Sequence, residues 1–145
     1  SLNATYGERK LNKNDGYNLG FVYSTEASDT DPTTMLSVFG GIAGNGFRFG
    51  GEYDLLTTSD NTTELILSLT GNYKLNKNID IFTRYDLYDP NIDSDDDDEI
   101  IPDLISGILL NCGDGLTIAP NIKIKTIIDQ DDPLIEKMVN FQFKF

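Results

Sequence analysis

Apolar and polar residues alternate along most of this chain with a period of two, and convincing stretches at a helical period of 3.6 are absent. The clearest run is Phe47 to Leu55, where Phe47, Phe49, Gly51, Tyr53 and Leu55 share one face and Arg48, Gly50, Glu52 and Asp54 the other. Leu65 to Leu75 sets Leu65, Leu67, Leu69 and Tyr73 against Ser68, Thr70, Asn72 and Lys74. Ile79 to Leu87 sets Ile79, Ile81, Tyr85 and Leu87 against Asp80, Phe82, Arg84 and Asp86. Later, Leu116, Ile118, Ile122, Ile124 and Ile128 oppose Thr117, Asn121, Lys123 and Lys125, and the last six residues, "NFQFKF", alternate Asn140, Gln142 and Lys144 with Phe141, Phe143 and Phe145. Tyr17, Leu19, Phe21 and Tyr23 form a similar face near the start. Thr34 to Ala43 and Ile101 to Leu110 alternate poorly and are read as strands from spacing alone, with their facing left open. With Leu2 to Arg9 the pattern predicts an all-β chain of nine strands. Most run to about 9–12 residues, long for a globular sheet and right for a tilted membrane-crossing strand.

The connections alternate as well. "LNKNDG", "GNG", "LNKN" and "NCGDG" are short and rich in Asn, Gly and Lys, the chemistry of tight hairpins. Between them fall "STEASDTDPT", "TTSDNTTE", "DPNIDSDDDDEI" and "DQDDP", which are longer and acidic. An antiparallel up-and-down meander with two chemically different ends follows.

Composition narrows the function. The 145 residues suit one domain, residues 1–145, in which residues 1–16 would supply a first strand and turn. A formal charge of -13 argues against a nucleic-acid partner held by phosphate contacts. Much of that charge is local: Glu26 to Asp31, Asp60 to Glu64, Asp89 to Glu99 and Asp129 to Asp132 hold 15 of the 24 acidic residues and no Lys or Arg. The acidity therefore belongs to the loops. With no His and a single Cys112, the chain offers no recognisable zinc site, internal disulfide or His-dependent triad. No catalytic residue and no cofactor is implied.

Strand length, alternation, two unlike ends and a terminal Phe together resemble a bacterial outer-membrane β-barrel. More narrowly, "FRFGGEYDLL" (47–56), "NKNIDIFTRYDLYDPN" (76–91) and the closing "FQFKF" resemble the C-terminal part of porins of the phosphate-selective-porin-like type. The resemblance spans about residues 17–145 and implies an antiparallel transmembrane β-barrel acting as a passive channel for ions or small hydrophilic solutes. It implies outer-membrane lipid and lipopolysaccharide as surroundings, and a homotrimer as one arrangement open to it. It also implies assembly machinery that reads Phe141, Phe143 and Phe145. The tight turns and the C-terminus would face the periplasm and the acidic loops the exterior. Tyr17, Phe47, Tyr73 and Phe145 would form one interfacial aromatic girdle, and Tyr23, Tyr53 and Tyr85 the other.

Nine strands ending in the periplasm conflict with the even count of bacterial barrels. Either residues precede Ser1, making this part of a barrel of about 14–18 strands, or Leu2 to Arg9 is not a membrane strand and Tyr17 to Phe145 closes as an eight-stranded, non-conducting anchor or subunit. The repeat of "YGERKLNKNDGYNLGF" in "GNYKLNKNIDIF" favours the first. A soluble all-β binding protein, with the apolar faces inside, is the third reading.

The candidate lumen-lining residues are Arg48, Glu52, Asp54, Lys74, Asp80, Arg84, Asp86, Lys123, Lys125 and Lys144, with Lys123, Lys125, Arg84 and Lys74 as a candidate basic patch. "DSDDDDE" invites a calcium reading through Asp93, Asp95, Asp97 and Glu99. The EF-hand pattern fails there: counted from Asp93, Asp98 takes the glycine position and Leu104 that of the bidentate Glu. A solvated acidic loop is the simpler reading. Asn3-Ala-Thr5 and Asn61-Thr-Thr63 match a glycosylation sequon, which in a bacterial outer-membrane protein is coincidence.

Overall fold

A computed structural model describes residues 1–26, 33–94, 100–127 and 132–144. Period-two alternation becomes nine strands: β1 (Leu2–Gly7), β2 (Gly16–Glu26), β3 (Thr33–Gly44), β4 (Phe47–Thr57), β5 (Thr63–Lys74), β6 (Ile79–Asp89), β7 (Ile101–Gly113), β8 (Leu116–Lys125) and β9 (Leu134–Phe143). They form one antiparallel up-and-down sheet in sequence order, β1 to β9. Among the described residues β1 and β9 are not paired, so the sheet is open, and there is no helix.

The register carries one face across all nine strands. Leu2 stands opposite Tyr23, Tyr23 opposite Leu36, Leu36 opposite Leu55 and Leu55 opposite Leu65. Further round, Tyr85 opposes Leu104, Leu104 opposes Ile124 and Ile124 opposes Ile135. A slip of one residue would flip a strand's whole apolar set, so this continuity fixes the pairing. It also settles the two ambiguous strands: Leu36, Val38 and Ile42 of β3 and Leu104, Ile108 and Leu110 of β7 join the apolar face.

At one end the hairpins are tight. Asn45-Gly46 joins β3 to β4 with φ of 52° and 81°, and Asp114-Gly115 joins β7 to β8 with φ of 49° and 77°. Two successive positive φ values define the turn whose twist matches paired strands, and Asn, Asp and Gly adopt them at least cost. The expected turns at 44–46 and 111–115 thus shrink to two residues each. Cys112, expected in a turn, instead lies in β7, where the pairing shifts between Asn111 and Gly113. β1 stops at Gly7 rather than Arg9, because Gly7 turns the chain with a φ of 100°. β8 stops at Lys125, and Ile128 lies outside the described residues.

The distribution of burial is inverted relative to a water-soluble sheet. The four buried residues among those described are Gly20, Ser37, Ala43 and Asn121, all on the face opposite the apolar one. The exposed large hydrophobics run from Leu2 to Phe143, and all of them except Ile66, Leu75, Ile92 and Leu134 lie on the apolar face. The accessible surface is 10153 Å² for 16.1 kDa, against about 7,400 Å² for a compact globular protein of that mass. The polar face is therefore the sheltered side of the sheet.

Candidate functional site

The sheltered polar face is where chemistry can gather. The register places Arg48, Glu52, Asp54, Lys74, Asp80, Arg84, Asp86, Lys123 and Lys125 on it together. Lys144 follows β9 and is tied by its backbone N–H to the Gly115 carbonyl at 3.0 Å. Strand pairing brings opposite charges side by side: Lys74 lies across from Asp80, and Asp103 across from Lys125.

The side chains then pair. Arg84 meets Asp86 at 2.7 Å, Lys123 meets Asp103 at 2.7 Å, and Lys125 meets Glu136 at 3.3 Å. Asp86 also accepts from Ser68 Oγ at 2.6 Å, Glu52 from Ser37 Oγ at 3.3 Å, and Glu64 from the Tyr88 hydroxyl at 3.0 Å. The expected basic patch of Lys123, Lys125, Arg84 and Lys74 is therefore not a free one. Three of its four cations hold carboxylates, which leaves a mixed field of alternating sign.

Arg48 is different. Its Nε donates to the carbonyl of Leu11 at 2.8 Å, and no carboxylate among the described residues pairs with it. Leu11 belongs to the connection between β1 and β2, which folds across the polar face instead of projecting from the sheet end. Asn18 Nδ2 holds the same segment through the Glu8 carbonyl at 3.1 Å. Glycines of the polar face receive it, since Gly41 pairs with Gly50. A Cβ on Gly41 would come within 3.0 Å of Leu11 Cδ1. The inward turn and its seat went unread in the sequence, although two "FGG" triplets ten residues apart, at 39–41 and 49–51, were the available signal.

The aromatic expectations divide. Phe47 pairs with Tyr73 at the tight-turn end, and Tyr17 packs near Tyr6 with ring centroids 6.2 Å apart. Tyr23 lies toward the opposite end of β2, but Tyr53 and Tyr85 fall nearer the middle of β4 and β6, so a second row is not aligned along the sheet. Phe141 and Phe143 lie on the apolar face, 62% and 60% exposed, while Phe145 lies outside the described residues. Of the calcium candidates, Asp93 is described and Asp95, Asp97 and Glu99 lie outside. No cluster fit to hold a metal occurs among the described residues.

No protein-family model, curated protein or solved structure matches this chain. The functional reading rests on the sheet itself.

Proposed function

We propose that this chain forms wall of an outer-membrane β-barrel porin, a passive channel for ions or small hydrophilic solutes. The observation that carries the proposal is the inversion: an apolar face exposed across nine strands, backed by a charged and sheltered one. In water an apolar patch of that extent is untenable, since monomers rarely expose more than a few hundred Å² in one piece. In a bilayer hydrocarbon covers it. Eleven residues at about 3.3 Å each, tilted by about 40°, cross roughly 28 Å, which suits an apolar band about 25 Å tall.

Membrane placement makes demands on the edges. Backbone groups in hydrocarbon must pair internally, so the free sides of β1 and β9 have to be paired in the assembled barrel. β1 pairs with β2 over its whole length and continues the apolar face, which disfavours an eight-stranded barrel beginning at Tyr17. A water-filled lumen lined by mixed charge then permits diffusion without strong preference for one sign.

One observation favours a second reading, a barrel that anchors or joins a surface assembly without conducting: the connection between β1 and β2 is held at the polar face through Glu8 and Leu11. Planar-bilayer recording separates the two. Folded protein inserted into the bilayer gives discrete conductance steps if it is a porin, and none if it is an anchor.

A further inference from the structure

Passive diffusion does not require the feature that lies under the inward turn. A cavity of about 730 Å³ opens on the polar face, walled by Leu11 and Asn12 on one side and by β2 to β7 on the other. Its lining is unusual for a lumen. Leu11 of the inward turn converges on it with Phe39, Phe82, Ile105 and Leu109, apolar residues that interrupt the alternation of the polar face. The paired glycines of β3 and β4 supply the room.

Arg48 also lines the cavity. The Leu11 carbonyl anchors its Nε at 2.8 Å, which orients the guanidinium and leaves its terminal N–H groups without a carboxylate among the described residues. Arg84, another lining residue, is neutralised by Asp86, and Glu52 adds a negative charge nearby. The site thus offers Arg48 as a cation with no ion pair beside an apolar wall, with the Glu52 carboxylate, held by Ser37 Oγ, as the lining's opposing charge.

We propose that this cavity binds a small organic monocarboxylate with an aromatic or alicyclic body. Its carboxylate engages the terminal N–H groups of Arg48, and its ring packs among Leu11, Phe39 and Phe82. The volume falls within the usual range of about 300–1,000 Å³ for small-molecule sites. A guanidinium presents parallel donors that match a carboxylate's two oxygens. A monocarboxylate sets one negative charge against Arg48, whereas a phosphate dianion would bring two beside Glu52 and lose more hydration against apolar side chains that return nothing for it. The proposal rests on reading the polar face as a water-accessible lumen, and it names the solute class that lumen would retain.

The test titrates the folded protein in detergent micelles with benzoate, cyclohexanecarboxylate, benzyl alcohol and inorganic phosphate, followed by calorimetry and by competition between ligands. The two carboxylates should compete for one site and bind at least about tenfold more tightly than benzyl alcohol or phosphate. Arg48→Ala should weaken them by about 10- to 100-fold, the loss of a charge-assisted hydrogen-bond pair, while Lys125→Ala leaves them unchanged. Should Arg48→Ala not fold, the ligand series on the unaltered protein decides alone. Equal affinity for benzoate and benzyl alcohol, or tighter binding of phosphate, overturns the site. Bilayer recordings of the same preparations keep the two claims apart. Binding without conductance steps removes the channel and keeps the site, and conductance without ligand discrimination does the reverse.

Discussion

Val38 gives the sharpest stability test, because water and hydrocarbon predict opposite outcomes for one substitution. It lies near the middle of β3 on the apolar face, between Phe21 of β2 and Tyr53 of β4, and is 43% exposed. In a water-soluble sheet Val38→Arg at so exposed a position would change stability by no more than about 0.5 kcal/mol. On the lipid face of a barrel near the bilayer midplane, an Arg costs about 2–4 kcal/mol, a drop in the folding equilibrium of roughly 30- to 1,000-fold. Val38→Leu, which keeps the position apolar, should stay within about 0.5 kcal/mol of the unaltered protein in both settings. The chain has no Trp, so urea unfolding from phosphatidylcholine vesicles is best followed by far-ultraviolet circular dichroism and by heat-dependent gel mobility. A folded Val38→Arg protein with a loss below about 0.5 kcal/mol would refute the lipid-facing assignment.

Other consequences follow from individual contacts. Gly115→Val should cost more than about 1 kcal/mol, since φ is 77° and a Cβ would collide with the Lys144 carbonyl; unfolding midpoints of the two proteins check it. Gly107→Val should be as damaging, because a Cβ there would meet the Pro120 carbonyl at 2.5 Å and Asn121 Cβ at 2.6 Å. Lys123→Ala leaves Asp103, whose side chain is 26% exposed, without its 2.7 Å partner and should lower stability by about 1–2 kcal/mol; Asp103→Asn in the same background should restore part of the loss. In the loop after β4, the Thr58 hydroxyl and then the Thr62 N–H hold the Asp60 carboxyl below its usual pKa. A folded value below the unfolded one means these contacts act in full above the ordinary carboxylate pKa and are lost as pH falls through the lowered one. Thr58→Ala should therefore move the Asp60 titration upward, as read by NMR.

The strands were legible because each carries its own two-residue period. Phe47 to Leu55 needed no partner to declare which side was apolar, and Asn45-Gly46 and Asp114-Gly115 announced their turns by residue type. Thr34 to Ala43 and Ile101 to Leu110 were not legible in facing, because Phe39, Ile105 and Leu109 put apolar side chains on the polar face. Pairing resolves them, and the same residues prove to line the cavity, so the positions that blurred the pattern mark the site.

Lys123 and Lys125 show the other limit. One strand read alone suggests a basic patch, whereas Asp103 and Glu136 arrive from the neighbouring strands β7 and β9 to neutralise it. The inward fold of the turn holding Leu11 depends on Arg48, 37 positions along the chain, and on glycines of β3 and of Arg48's own strand, β4. Local spacing does not encode such a meeting.

If the two faces of this sheet meet lipid and water respectively, site-directed spin labelling reads the difference directly. With Cys112 replaced by Ser, single nitroxide labels at Tyr53, Leu67 and Ile108 on the apolar face, and at Glu52, Thr70 and Asn140, exposed positions of the polar face, are compared in lipid vesicles. Collision rates with oxygen and with a water-soluble nickel complex are recorded for each. High oxygen and low nickel exposure are expected at the first three and the reverse order at the others, with the alternation read between the neighbours Glu52 and Tyr53 of β4. Nickel access at Tyr53 equal to or greater than that at Glu52 would contradict it.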